Sequence, residues 1–154
     1  MLLATALTLH TLAVVIWIGG MFFAHMALRP VAQAVLEPPL RLPLMAQVLG
    51  HFFAWVWVAI ILLWLTGFGL IFGYYGGMGA VKIFVHIMLT LALVMTLLFF
   101  YLFFVPFPQM KQAIAQENFP QAGQHLTTIR QIVVTNLILG IIIIVVTFFG
   151  RYLT

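Results

Sequence analysis

Four long apolar runs decide what this chain can fold into. They cover about residues 5–28, 47–73, 80–105 and 130–150, and each reaches the roughly 20 residues that a helix needs to cross a bilayer. In hydrocarbon a chain must satisfy its own backbone hydrogen bonds, which leaves helices and closed barrels. Because the runs lack the alternation of barrel strands, they predict helices. We therefore expect an all-α fold, an integral membrane up-and-down four-helix bundle in one transmembrane domain of residues 1–154.

Composition supports a membrane environment and excludes several classes of protein. Hydrophobic residues make up 66% of the chain and charged residues 5%, whereas soluble domains are about 45–50% apolar and about 25% charged. There is no cysteine, which rules out disulfides and thiolate metal sites. The net charge of +4 comes from few basic residues at segment ends, as membrane topology requires, so nucleic acid is not an expected partner.

The connections between the runs predict the helix ends. The first connection is rich in proline, and we expect Pro43 to open an extended second helix. The second is a glycine turn at residues 73–77, which makes the second and third helices antiparallel neighbours. The third is polar, and the fourth helix is expected to begin near Asn118 or Pro120 and to cover about residues 120–150.

Loop charge predicts the orientation. More basic residues flank the first and third connections than lie at the other end, and the richer side faces the cytoplasm. We therefore expect both termini on the outer, periplasmic side of a bacterial inner membrane, with the lipid bilayer as the main partner. The residues that decide this are Arg29, Arg41, Lys111 and Arg130 on one side, and Lys82 and Arg151 on the other.

Five histidines are the main chemical signal, because an ionisable residue at membrane depth is expensive and marks a functional site. His10 and His86 both lie about 6 to 9 Å below the outer boundary at 1.5 Å per residue. Two imidazoles at one depth on diagonal helices favour axial ligation of haem b. Trp17 lies on the stripe below His10 and would pack on the porphyrin, while Lys82 and Arg151 would bind its propionates.

The other three histidines gather near the inner end of the bundle. His51 and His125 lie at similar depths on the other diagonal pair of helices, so they are candidate ligands of a second haem, and His25 competes for the same role. Both one haem and two remain open. The cations available at this end for inner propionates or for lipid phosphates are Arg29, Arg41, Lys111 and Arg130. A lone intramembrane histidine can also serve only as a packing donor to a carbonyl, so a structural or assembly subunit is an alternative.

Eight methionines keep copper open as an alternative, because thioethers suit Cu(I), although methionine also fills gaps in apolar cores. The two carboxylates, Glu37 and Glu117, are far apart in the sequence, which argues against paired acid and base hydrolysis. No phosphate-binding loop, dinucleotide fingerprint or nucleophile triad is present. The methionines that could join His25 or His86 are Met21 and Met26, or Met88 and Met95.

Short motifs recur along the first three predicted helices. They are Leu9-His10, Trp17-Ile18-Gly19-Gly20 and Arg29-Pro30 in the first helix, His51-Phe52-Phe53 and Leu65-Thr66-Gly67 in the second, and Gly79-Ala80-Val81-Lys82 in the third. Together these segments resemble small CopD-type copper-resistance membrane proteins, over most of the chain to about residue 105. The resemblance implies copper uptake through a permease.

The first helix also resembles HemJ-type protoporphyrinogen oxidases, which are haem b proteins with a histidine in this position and a Trp-x-x-Gly motif after it. The chain departs from that family where Ala24-His25-Met26 stands in place of Leu-Pro-Arg. This second resemblance implies haem-linked redox work.

The histidine geometry favours a b-type cytochrome for transmembrane or quinone-linked electron transfer, with quinone or a periplasmic redox protein as partner. A copper permease that uses histidine and methionine is the alternative, and a porphyrinogen oxidase is the second alternative. No catalytic residue is predicted, so whether the protein is an enzyme, in that case an oxidoreductase, stays open. The sequence is compatible with a homo-oligomer.

Overall fold

A computed structural model describes residues 1–153 and the side chains of residues 1–152. All regular elements in this part of the chain are helices, and it contains no strand. The helices in chain order are α1 Leu2–Phe23, a π-helical segment Ala24–Leu28, α2 Arg29–Val35, α3 Pro38–Gly73, α4 Ile83–Phe104, α5 Pro106–Ala115 and α6 Phe119–Leu153.

These elements form four segments that are long and apolar enough to cross a membrane, which confirms the predicted all-α bundle of four spans. We call them the first to fourth spans: Leu2–Val35, Pro38–Gly73, Ile83–Ala115 and Phe119–Tyr152. The chain runs up and down. One end of the bundle therefore contains Leu2, Gly73, Ile83 and the last residues of the fourth span. We call this the terminal end and the opposite one the connection end. Which end faces the cytoplasm stays a prediction.

The first span continues past the predicted end at about residue 28, and a widened turn explains how. The backbone N–H of Arg29 donates to the carbonyl of Ala24, a bond across five residues that closes the π-helical segment. Pro30 follows at once, and a proline ring would collide with the carbonyl four residues before it in a regular α-helix. Because a π turn is wider, the chain passes Pro30 and remains helical to Val35.

The second span begins before its predicted start at residue 47. Glu37 is extended, with φ −70° and ψ 156°, because the residue before a proline is disfavoured in the helical region. Pro38 then occupies the first helical position, where its missing N–H costs nothing. Pro43 was expected to open this helix, but it lies inside α3. Because Pro43 is near the start of the helix, its missing N–H costs α3 a single backbone hydrogen bond.

The fourth span begins at Phe119, between the two predicted starts. Glu117 adopts φ 54° and reverses the chain. The side-chain oxygen of Asn118 then accepts a hydrogen bond of 3.3 Å from the backbone N–H of Gln121. This is the bond of a helix cap, which satisfies one of the free donors at the start of α6.

Aromatic rings join the second and third spans, as the prediction of antiparallel neighbours requires. Trp57 lies at the centre of this contact and stacks on Phe100 with ring centroids 5.1 Å apart. Trp57 also meets three further rings of the third span edge-on: Phe99, Phe103 and Phe104.

Few polar side chains connect the spans. Trp64 donates to the hydroxyl of Thr96 at 3.2 Å, and Asn136 donates to the backbone carbonyl of Met95 at 3.1 Å. Most large apolar side chains outside the core are exposed on the bundle surface, which is the distribution expected where lipid replaces water. The chain is therefore a multi-pass membrane protein in contact with the bilayer.

Candidate functional site

His10 is held by the second span. The ring projects from α1 towards α3, where its Nδ1 lies 2.8 Å from the hydroxyl oxygen of Thr66. Thr66 is 9% exposed, so this contact is inside the bundle. The ring also passes close to Gly67, because a Cβ added there would lie 3.6 Å from the Cε1 atom of His10. The imidazole of His10 therefore packs against Gly67 and bonds to Thr66 inside the bundle.

The hydrogen bonds of Thr66 determine which nitrogen of His10 is free. The Thr66 hydroxyl lies 2.5 Å from the carbonyl of Leu62, and a carbonyl can only accept a hydrogen bond. The single hydroxyl proton is thus donated to Leu62, so the hydroxyl oxygen accepts from the Nδ1–H of His10. In a neutral imidazole with Nδ1 protonated, Nε2 carries a lone pair. This is the arrangement in which histidines bind metals, with the second nitrogen fixed by an oxygen acceptor.

His86 and His51 are held in a similar way by their own helices. Nδ1 of His86 lies 3.4 Å from the carbonyl of Lys82, and Nδ1 of His51 lies 2.9 Å from the carbonyl of Gln47. Both rings therefore use Nδ1 as the donor and leave Nε2 without a hydrogen bond among the described residues. They differ in setting, because His86 is half-buried in the first turn of α4, whereas His51 is exposed on the outer face of α3.

The residues predicted around an outer haem have different surroundings in the structure. Trp17 is 4% exposed and packs edge-on against Phe99 of the third span, with ring centroids 6.4 Å apart. Lys82 and Arg151 are exposed at the terminal end. The ligation of a haem by His10 and His86 stays a prediction, and the space between the first and third spans at the level of Trp17 is filled by rings.

The three histidines predicted towards the inner end have three different surroundings. His25 lies in the π-helical segment and lines a cavity between the first, second and fourth spans. His125 lines a separate cavity that it shares with glutamines of α5 and α6. His51 faces away from the bundle. The pairing of His51 with His125 on a second haem stays a prediction.

Within residues 1–153, no group of three or more histidine, aspartate or glutamate side chains is placed to hold a metal ion. A metal in the membrane would therefore combine histidine with other donors. Several methionine sulfurs are available inside the bundle, and that of Met88 already accepts a hydrogen bond of 3.5 Å from the Thr147 hydroxyl. The buried methionines are Met21, Met45, Met95 and Met110.

Sequence reasoning missed two features of this architecture. It singled out His10 but not its partner Thr66, although a threonine within an apolar run is itself a polar signal. It used Arg29, Arg41 and Arg130 as markers of orientation and as cations for propionates or lipid phosphates, but it did not predict that all three line one cavity with His25.

Comparison with known proteins gives one family. The family model described as CopD, copper resistance protein D, matches residues 46–149, which is more than half of the chain. The matched range contains His51, His86 and His125, while His10 and His25 precede it. No curated protein and no solved structure matches the chain significantly.

Proposed function

This chain belongs to the copper resistance protein D family, and we propose that it binds Cu(I) within the bilayer and carries it across a bacterial inner membrane. The observation that carries the proposal is the hydrogen bond from His10 to Thr66. That bond orients a neutral imidazole and leaves its Nε2 lone pair for a metal.

The donors inside the spans suit a soft monovalent cation. The two carboxylates of the chain, Glu37 and Glu117, lie in the connections and are exposed. The spans therefore offer only neutral ligands, namely imidazole nitrogen and thioether sulfur, which bind Cu(I) well. A monovalent ion is also easier to desolvate than a divalent one, because the cost of moving a charge into hydrocarbon rises with the charge.

Methionine sulfurs extend the set of donors along the bundle. Met88 follows His86 in the first part of α4, and Met95 and Met21 are each 2% exposed deeper in the core. A copper ion that enters at His10 or His86 would meet these sulfurs on its way through. Several binding sites in succession suit conduction, because the ion can pass from each site to the next.

Haem b is the second candidate, because His10 and His86 both present a free Nε2 atom at the terminal end. In that case electrons would pass between a periplasmic partner and quinone, and Lys82 and Arg151 would meet the propionates. The Trp17 and Phe99 rings argue for copper, since a porphyrin between the first and third spans would have to separate them.

Copper flux into proteoliposomes tests the proposal. Purified protein is reconstituted with a Cu(I) indicator inside the vesicles, and the initial rate of entry is measured for the natural chain, His10→Ala and His51→Ala. His51→Ala is the matched control, because it removes an imidazole that is exposed on the bundle surface. We expect His10→Ala to lose most of the flux and His51→Ala to retain it. Equal rates for protein-containing and empty vesicles would refute transport.

A further inference from the structure

The connection end of the bundle contains a second candidate site, which suits an anion, whereas the first suits a cation. We propose that the cavity between the first, second and fourth spans binds a phosphate group through three arginines and His25. We call it the arginine cavity. Its polar lining is His25, Arg29, Gln33, Arg41, Thr127 and Arg130. The inference does not depend on whether the protein transports copper.

Three different spans build the arginine cavity. Arg29 comes from the first span, Arg41 from the second and Arg130 from the fourth, and all three are half-buried. The cavity measures about 150 Å³, roughly ten times the 10–15 Å³ that a single water needs. Its floor is apolar and includes Leu42 and Val133. The space thus takes a polyatomic group with its charged part among the guanidinium groups.

The arginines have no carboxylate to offset their charge. No acidic residue lines the cavity, and neither Glu37 nor Glu117 forms an ion pair with any residue in the described part of the chain. Arg29 and Arg130 are close enough to repel each other. Gathering half-buried like charges is unfavourable unless a counter-ion joins them, so the arrangement favours an anion.

His25 supplies an independent indication of a ligand. Its Nδ1 atom is buried and has no hydrogen-bond partner within the described residues. Buried polar atoms are nearly always paired, and an exception points to a bound partner such as a water or an ion. His25 lines the same cavity as the arginines. An anion bound there would give this nitrogen a partner, with the ring as donor.

Phosphate is the chemical class that fits this set. Guanidinium groups bind phosphate oxygens through two parallel hydrogen bonds, and three of them can surround a tetrahedral group from different sides. The end of the bundle is also the level at which lipid headgroups lie. The phosphate has two sources, an anionic lipid or soluble phosphate. His25 is accordingly a ligand of an anion, because three neighbouring cations disfavour copper at its ring.

Native mass spectrometry and thermal unfolding of the purified full chain separate the two sources. In the lipid arm, delipidated protein receives phosphatidylglycerol or a neutral glycolipid with the same acyl chains, and bound lipid is counted. In the soluble arm, the unfolding temperature is measured with inorganic phosphate and with chloride at equal ionic strength. The variants are Arg130→Gln and Arg41→Gln. Lys111→Gln is the matched control, because Lys111 is a cation at the same end that lies over the Phe107 ring instead of the cavity.

We expect each arginine variant to bind at least about tenfold more weakly, a change of about 1.4 kcal/mol, and Lys111→Gln to behave as the natural chain. If the protein retains phosphatidylglycerol but not the neutral glycolipid, the ligand is a lipid. If inorganic phosphate raises the unfolding temperature more than chloride does, the ligand is the soluble ion. If Arg130→Gln does not fold, Arg41→Gln gives the same comparison. The proposal is overturned if neither ligand binds, or if Lys111→Gln weakens binding as much as the arginine variants do.

Discussion

Thr66 fixes the imidazole of His10 across the interface between the first and second spans, with 2.8 Å between Nδ1 and the hydroxyl oxygen. The contact joins residues far apart in the chain, and the hydroxyl proton is used on the Leu62 carbonyl. One side chain thereby sets both the direction of the ring and the nitrogen that is free. In proteins that bind metals, such outer partners fix the tautomer and orientation of the ligand and thereby raise the affinity for the metal.

Thr66→Val tests this coupling. Valine has nearly the shape of threonine but cannot accept the Nδ1 proton, so the ring of His10 loses its orientation. We expect the affinity for Cu(I) to fall by about 10 to 100-fold, measured by competition with a Cu(I) chelator. Thr11→Val is the control, because the Thr11 hydroxyl bonds only to Leu7 of its own helix. Equal affinities for the two variants would remove Thr66 from the site.

Gly150 allows the third and fourth spans to approach at the terminal end. A Cβ at this position would lie 2.5 Å from the Cβ atom of Phe84, an atom that moves only with its backbone. Gly150→Ala should therefore destabilise the bundle by about 1–3 kcal/mol, measured by reversible unfolding in mixed micelles. Gly69→Ala meets nothing within 4 Å and should leave the free energy of unfolding close to that of the natural chain. The reverse order would contradict the packing described for Gly150.

Two tryptophans on α3 should differ in their contribution to stability. Trp57 contacts four rings of the third span, and each aromatic pair contributes roughly 0.5–1.5 kcal/mol. We expect Trp57→Leu to lower the free energy of unfolding by about 2 kcal/mol or more. Trp55 is 59% exposed, so Trp55→Leu should change it by less than about 0.5 kcal/mol. A large effect at Trp55 would indicate a covered surface there, such as that of a homo-oligomer.

The orientation in the membrane can be read with single cysteines, because the natural chain contains none. Tyr74 and Gln116 are exposed at opposite ends of the bundle. If the positive-inside rule holds, an impermeant maleimide applied to intact cells with a permeable outer membrane labels Tyr74→Cys. Gln116→Cys is labelled only after lysis. The opposite result would place both termini in the cytoplasm.

The number and type of the spans could be predicted from the sequence, since they depend only on length and hydropathy. The course of the chain at Pro30 could not, because a π turn that admits a proline depends on backbone geometry. The meeting of Arg29, Arg41 and Arg130 was hidden for another reason. Helices that are apolar on all sides carry no periodicity to show which face packs inward, so residues recognised as markers of orientation could not be assigned to one cavity.

The sequence pointed to one member of the His10–Thr66 pair. His10 was singled out by the cost of placing an ionisable group in the membrane. Its partner could not be found from spacing, because Thr66 lies on another helix and a threonine in a membrane helix usually bonds to its own backbone. Thr66 bonds to the Leu62 carbonyl of its own helix and also contacts His10. Together these two hydrogen bonds determine which nitrogen of His10 is free.

The copper content of the purified protein tests the central claim most directly. Protein from haem-replete cells is loaded with Cu(I), freed of excess metal and analysed for copper, with a visible spectrum of the same sample. We expect stoichiometric copper in the natural chain and in His51→Ala, its loss in His10→Ala, and no haem absorption. Full copper in His10→Ala, or a haem spectrum with no copper, would contradict the account.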